Sequence, residues 1–231
     1  MMKRVTVFFS LLLLASFAWA DQTKQDVDQR LENSTKVLQE IMNTPDKGIP
    51  EDALQAAKCI AIVPHMIKGG LGFGAEHGRG VVTCRTASGW SAPAFMSISG
   101  GSWGLQIGVE GIDLVMLFMD KQGAEELLSS KFQVGGDASA SAGPVGRHAS
   151  AGTDWKMDTK ILTYSRSKGI FAGLTLNGAR VVPDDDSMNV FYGKNVTTKS
   201  VLAGRVTAPS PARQFDAEIS RATTTAAAAE R

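Results

Sequence analysis

The sequence has few of the residues that build metal sites and disulfide frameworks. It contains only two cysteines and three histidines among 231 residues. Cys59 and Cys84 are too few for a multi-disulfide framework or a cysteine metal box, so they are either bridged in an oxidising compartment or act as two small buried hydrophobes. His65, His77 and His148 have no H-x-x-x-H or C-x-x-C companion. We therefore expect no metal site and no cofactor, and structural or surface roles for the histidines.

The chain also lacks an excess of charge of either sign. Its formal net charge is +1. A basic pair at 3–4, an apolar run over 5–17 and the small-x-small triplet at 18–20 predict a secretory signal peptide over residues 1–20. The remaining chain has 22 basic and 23 acidic side chains. The signal peptide predicts an exported protein that is periplasmic or associated with the cell envelope. The near-neutral charge lacks the cluster of basic residues that nucleic acid binding requires, so we expect no nucleic-acid partner.

Long apolar runs are absent after this leader. The longest uncharged stretch, residues 86–109, contains five glycines, one proline and six serine or threonine residues. A membrane-spanning helix needs about 20 predominantly apolar residues. We therefore do not expect this stretch to be a transmembrane helix.

The N-terminal part of the mature chain has a helical pattern. Apolar residues spaced by three and four predict an amphipathic helix over residues 27–41, with Val27 and Leu31 on its apolar face. Pro50 and the acidic pair after it predict the start of a second helix. Residues 21–50 carry four basic and six acidic side chains. This acidic balance favours packing of the helix on the rest of the fold over binding to an anionic membrane surface, which is the alternative use.

Glycine marks the beginning of the β part of the chain. Of the 24 glycines, 21 lie between Gly69 and Gly178. Bulky apolar residues alternate with small or polar ones over residues 103–109, which predicts a strand with one nearly bare face. We expect another backbone layer, a bend in a curled sheet or a ligand to approach that face.

The predicted fold class is α+β, with a strongly twisted antiparallel sheet, open or closed into a barrel. The N-terminal helices and a shorter helix near Leu127 flank the sheet. One domain is expected over residues 21–204, followed by a mobile tail over 205–231 with a helix around Phe215 and Ile219.

Three motifs suggest chemistry that their context does not support. The G-x-S-x-G pattern at 100–104 precedes a strand, whereas a nucleophile elbow precedes a helix, so we expect a glycine-rich bend between strands and no hydrolase. The glycines at 69–74 do not have the spacing of a nucleotide-binding loop. The three aspartates at 184–186 lack the spacing of a calcium loop and suit a helix N-terminus.

Several blocks, taken in order, resemble the SYLF lipid-binding family, also called the Ysc84 actin-binding domain. They are CIAIVP at 59–64, KGGLGFG at 68–74, HGRG at 77–80, GWSAP at 89–93, SISGGSWGLQIG at 97–108 and YSRSKG at 164–169. The resemblance implies a non-enzymatic domain that binds phospholipid, with actin binding in some members. Because export would separate this chain from actin, we expect membrane phospholipids as partners and not actin.

The family blocks contain four cations beside glycine-rich turns, Lys68, Arg79, Arg166 and Lys168. Our hypothesis is that these side chains meet lipid phosphates, while the apolar face of the first helix or a groove in the sheet takes acyl chain. Arginine offers phosphate a fork of donors and lysine a point charge. The alternative is a structural or protein-binding envelope scaffold without specific lipid binding.

Overall fold

The computed structural model describes residues 23–44, 48–120, 132–134, 140–143, 160–167, 170–173, 176 and 178–229, and at 71–73, 102–107, 132, 140, 170–173 and 225–229 the backbone alone. The predicted signal peptide, the helix expected near Leu127, and Lys168 lie outside the described residues.

The helices form where the sequence pattern and the capping residues coincide. They are α1 (Lys24–Met42), α2 (Glu51–Ala56), α3 (Asp185–Tyr192), α4 (Thr198–Leu202) and α5 (Arg213–Ala229), with a 3-10 turn at Ser210–Ala212. Thr23 caps α1 in a reciprocal capping box with Asp26, and Asp184 caps α3 by accepting from the backbone of Ser187. The two N-terminal helices and the helix after Pro183 are confirmed.

The described strands form one twisted sheet that is not closed into a barrel. They are β1 (Cys59–Thr86), β2 (Gly89–Trp90), β3 (Ala94–Phe118), β4 (Phe132–Gln133), β5 (Ala140–Ala142), β6 (Ile161–Ser167), β7 (Ile170–Gly173) and β8 (Arg180–Pro183). The main order is β2-β1-β3-β6-β5, with β8 also on β3. The α+β class is confirmed, although β5 runs parallel to β6 in a sheet whose other described pairs are antiparallel.

Two unusually long strands, β1 and β3, dominate this sheet. They pair from Cys59 opposite Phe118 to Val82 opposite Ala94. The β part therefore begins at residue 59, ten residues before the glycine-rich stretch that predicted it. The glycine-rich segment 100–104 lies inside β3, so the expected bend between separate strands is wrong. Pairing with β1 continues through residues 100–103 and resumes at Ile107 after a register irregularity that includes Gly104.

Strand β1 folds back so that its two ends meet. The backbone N–H of Arg85 donates to the carbonyl of Lys58 at 2.7 Å, and Cys59 is disulfide-bonded to Cys84. Glycine permits this approach: a Cβ on Gly78 would lie 2.5 Å from Val63 Cγ1, and one on Gly80 would lie 2.2 Å from the carbonyl oxygen of Ile62. We call residues 59–66 and 78–85 the fold-back.

The middle parts of β1 and β3 pair with each other away from the other described strands. Ile67 lies opposite Gly111, and Ala75 lies opposite Gly101. Within the described part of the sheet, these residues of β1 and β3 pair only with each other. We call residues 67–75 and 101–111 the ribbon.

The helices cover the fold-back and complete the core. The apolar face of α1, including Val27 and Leu31, is buried against the sheet. Helix α5 packs on α1 and α2, and its Phe215 and Ile219 are fully buried. The helix expected around Phe215 and Ile219 is confirmed, and it contributes to the core although it lies in the segment predicted to be a mobile tail. No helix among the described residues is long and apolar enough to cross a membrane.

Candidate anion-binding groove

An open groove of about 330 Å³ lies between α1 and the fold-back. Helix α1 contributes Asp26, Gln29, Arg30 and Asn33, and β1 contributes Pro64, His65, Ile67, His77, Gly78 and Arg79. The strand lines the groove from both of its halves because the fold-back brings residues 64–67 beside residues 77–79.

His65 reaches the groove because of an irregularity in β1. The pairing register with β3 shifts between Val63 and Met66, and His65 has a φ of 51°. Its backbone N–H donates to Asp113 Oδ1 at 3.0 Å, which fixes this local conformation. The side chain is 77% exposed, with Nδ1 3.6 Å from the same carboxylate oxygen. The irregularity therefore holds an imidazole at the groove surface.

His77 and Arg79 reach the groove through simple strand alternation. Gly78 and Gly80 face the buried side against Val63 and Ile62, so residues 77 and 79 face outward. The Arg79 side chain is 43% exposed, and its Nε lies 4.0 Å from Asp184 Oδ2, at the limit of an ion pair. The guanidinium is therefore held near the groove while remaining open to solvent.

Asp184 is already satisfied by closer donors. Arg30 donates to its Oδ2 at 2.8 Å, and the Ser187 hydroxyl donates to the same oxygen at 2.8 Å. Burial of this carboxyl opposes its ionisation, but the hydrogen bonds from Ser187 and the charge of Arg30 outweigh burial and hold its pKa below the usual range. The Arg30–Asp184 pair is buried and joins α1 to α3, so Arg79 contributes the more exposed cation at this end.

Arg166, predicted to contact lipid, lies outside the groove lining and is paired within the fold. Its Nε and Nη2 donate to Asp113 Oδ2 at 3.0 and 2.6 Å, and Nη1 forms an ion pair with Glu40. These contacts join β6, β3 and α1. Burial lowers the pKa of Arg166, but two carboxylates remain its immediate partners. The Arg166 guanidinium therefore stabilises the contact between these three elements.

Lys68 lies at the ribbon, next to the groove residue Ile67. It is half-buried and stands opposite Glu110 in the β1–β3 register. Burial raises the pKa of nearby Glu76, and the charge of Lys68 acts in the opposite direction. Lys68 therefore has acidic residues around it and does not share the groove with Arg79.

The predicted apolar lipid contacts, Val27 and Leu31, are 0% and 2% exposed. They pack into the core in this conformation, as expected from the acidic balance of the helix. No group of three or more metal-ligating side chains occurs among the described residues.

The two histidines belong to no sequence motif that assigned them to a site. The available signal was the alternation His77-Gly78-Arg79-Gly80, which places both polar side chains on the face opposite two glycines. No comparable local signal marks His65, because its position depends on the register shift and on Asp113, 48 residues away.

The sequence of this chain is similar to those of known proteins. Residues 99–222, more than half of the chain, match the Ysc84 family, described as Las17-binding protein actin regulator. LAS seventeen-binding protein 3 of Saccharomyces cerevisiae is 36% identical over 169 residues, covering 71% of this chain and 36% of the relative. SH3 domain-containing YSC84-like protein 1 of Homo sapiens is 31% identical over 190 residues, covering 79% of this chain and 55% of the relative.

The chain thus spans about a third to just over half of the length of these relatives. The family match continues to residue 222 and includes much of α5, in agreement with the burial of that helix. By sequence blocks, by family match and by similarity to these relatives, the chain belongs to the Ysc84 family.

Proposed function

We propose that this protein is a non-enzymatic binder of anionic membrane phospholipid in the cell envelope, and that the groove between α1 and β1 receives the phosphate of the headgroup. The observation that carries this proposal is the grouping of Arg79, His65 and His77 on one open groove. The predicted leader would deliver the chain to the envelope.

The groove offers donors that suit a phosphate. Arg79 supplies a planar fork of N–H groups, and each imidazole supplies one N–H donor when neutral and two when protonated. Asn33 and Gln29 add amide groups from α1.

Asp26 also lines the groove, but its carboxylate accepts from the Thr23 backbone and hydroxyl at the start of α1. These bonds lower the pKa of Asp26 and keep its negative charge at the start of α1. Arg30 on α1 is buried against Asp184, so the exposed cation of the groove is Arg79 on β1.

Of the four cations predicted for lipid contact, Arg79 is the one we assign to the groove. Lys68 would act as a neighbouring charge at the ribbon, whereas the carboxylate partners of Arg166 compete with any lipid phosphate. The family description and the name of the yeast relative refer to Las17. We do not extend that partner, or actin, to this chain, because the predicted export would remove it from both.

The test is co-sedimentation of residues 21–231 with vesicles of phosphatidylethanolamine alone or mixed with phosphatidylglycerol or cardiolipin, at low and moderate salt. We expect salt-sensitive binding to the two anionic mixtures. Arg79→Ala should weaken binding roughly fivefold, because one cation near an anionic surface contributes about 1 kcal/mol.

Arg205→Ala is the matched control, since it removes an equal charge from an exposed position outside the groove lining. Wild-type binding by Arg79→Ala would exclude the groove as the phosphate site. Absence of wild-type binding to all vesicles would instead favour an envelope scaffold whose partners are proteins.

A further inference from the structure

The ribbon is the part of the described fold with the most exposed large hydrophobic side chains. Ile67 is 57% exposed and Val109 is 81% exposed, and no other large hydrophobic residue among those described is comparably exposed. They lie near each other across the pair, since Gly69 stands opposite Val109 and Ile67 stands opposite Gly111. Such side chains on a glycine-rich ribbon form an apolar surface that the described part of the fold leaves uncovered.

Among the described residues, the ribbon contacts neighbouring elements at one end, where Ile67 lines the groove and the Glu110 carboxylate accepts from the Ser167 hydroxyl, whereas four of its glycines meet no other element. A Cβ on Gly111 or Gly108 would meet no atom within 4 Å, and one on Gly101 would meet only the carbonyl oxygen of Gly74 at 3.8 Å. The contacts of Gly69 are likewise with Gly108 and Val109, within the ribbon itself. These four glycines of the ribbon therefore do not bring another described element close.

Charge is confined to the ends of the ribbon. Residues 69–75 and 101–109 contain no charged residue, whereas Lys68, Glu76 and Glu110 flank them. The backbone register adds two pairs of apolar residue types, Leu71 with Ile107 and Phe73 with Trp103. Two uncharged strands with these residue types are suited to an apolar environment, and aromatic residues are enriched where membranes meet water.

The ribbon adjoins the cationic groove through Ile67, which belongs to both. The surface therefore changes from Arg79 and the two histidines, past Lys68 and Glu110 at the end of the ribbon, to the uncharged stretches 69–75 and 101–109. This order matches the change from phosphate to acyl chain in a phospholipid layer. A protein partner would need no such order of charge and apolarity.

We infer that the ribbon enters the interfacial layer of an anionic phospholipid bilayer while the groove binds a headgroup phosphate. This inference rests on the proposed lipid-binding function and adds the element that penetrates the membrane. Nine residues of β1 span about 30 Å. The outer edges of a two-stranded ribbon leave alternate N–H and C=O groups unpaired, which is costly in hydrocarbon, so insertion is shallow and the edges stay near water and headgroups.

The first experiment uses an environment-sensitive fluorophore on Val109→Cys, with the disulfide kept oxidised. Ser220→Cys, an exposed position on α5, is the matched control. On addition of phosphatidylglycerol vesicles, we expect blue-shifted and brighter emission from position 109 and no change from position 220. Co-sedimentation without a spectral change at 109 would overturn ribbon insertion and leave the lipid-binding function standing.

The second experiment measures vesicle affinity for the double variant Ile67→Asp with Val109→Asp. We expect roughly tenfold weaker binding, since full burial of one such side chain is worth more than a tenfold change in affinity. Gln214→Asp with Ser220→Asp is the control, because it adds the same two negative charges at exposed positions on α5. Circular dichroism should show an unchanged fold for both proteins. Wild-type affinity of the double variant would overturn the inference.

Failure of the lipid-binding function has a different signature. In that case wild-type protein would bind no vesicle, with or without the ribbon substitutions. A spectral change at position 109 that depends on protein concentration in the absence of vesicles would indicate contact with a second copy and would also overturn the inference.

Discussion

The fold-back and the ribbon share strand β1 and both contain glycine, yet glycine serves opposite purposes in them. In the fold-back, Gly78 and Gly80 remove side chains that would collide with Val63 and with the carbonyl of Ile62. In the ribbon, Gly111 faces open space. Glycine content alone therefore does not indicate whether a strand is tightly packed or left uncovered.

The largest expected effect tests this difference directly. Gly80→Ala should lower the free energy of unfolding by about 3 kcal/mol or more, because a Cβ would lie 2.2 Å from a backbone oxygen that has no flexible way to move. Gly111→Ala should change it by less than about 0.5 kcal/mol. Urea unfolding followed by circular dichroism measures both values. Equal, small effects would contradict the close packing of the fold-back.

A smaller effect distinguishes Arg166 from Arg79, which were both predicted to contact lipid phosphate. Arg166→Ala should cost about 2 kcal/mol of stability, because it leaves the buried Asp113 carboxylate without its strongest donor. Arg79→Ala should cost less than about 0.5 kcal/mol, since its side chain is largely exposed and its ion pair is long. Thermal unfolding of both variants provides the comparison. A larger loss for Arg79→Ala would mean that Arg79 holds the fold.

The smallest effect is a pH dependence of the stability that arises in helix α5. Burial raises the pKa of Asp216 in α5 to about 6, above its value in the unfolded chain. The neutral carboxyl is therefore favoured by folding, and its stabilising contribution is complete below about pH 4 and lost as pH rises through 6.

Asp216→Asn should flatten this dependence and raise the thermal midpoint at pH 7 by a few degrees. Vesicle binding through the ribbon and groove should not change, because Asp216 lines neither. Thermal scans of both proteins between pH 4 and 7 measure the effect. An unchanged slope in the variant would show that Asp216 is not the group responsible.

The local sequence pattern was sufficient to predict the elements whose stabilising contacts are close in sequence. Helix α1 has regular apolar spacing and a cap at Thr23, and both features can be recognised within a short stretch of sequence. Helix α5 was only partly recognised, because the Pro-, Thr- and Ala-rich composition suggested a tail. Phe215, Ile219 and Ala222 nevertheless follow helical spacing, and their burial depends on α1 and α2.

The candidate site was less accessible to sequence reasoning, because it depends on distant contacts. Arg79 was selected from a family block and does line the groove, but Arg166 was selected on the same grounds and lies between Asp113 and Glu40. Neither carboxylate is a sequence neighbour of Arg166. The fold-back of β1, which forms one side of the groove, could not be predicted from the local sequence pattern either.

The bond between Cys59 and Cys84 has a consequence for how this protein would respond to proteases. It closes a covalent loop that contains the whole β1 side of the ribbon. A single cut between residues 59 and 84 would leave both fragments joined, and strand pairing with β3 could hold the cut ends in place. Such a nicked molecule would migrate as an intact chain until a reductant separates its pieces.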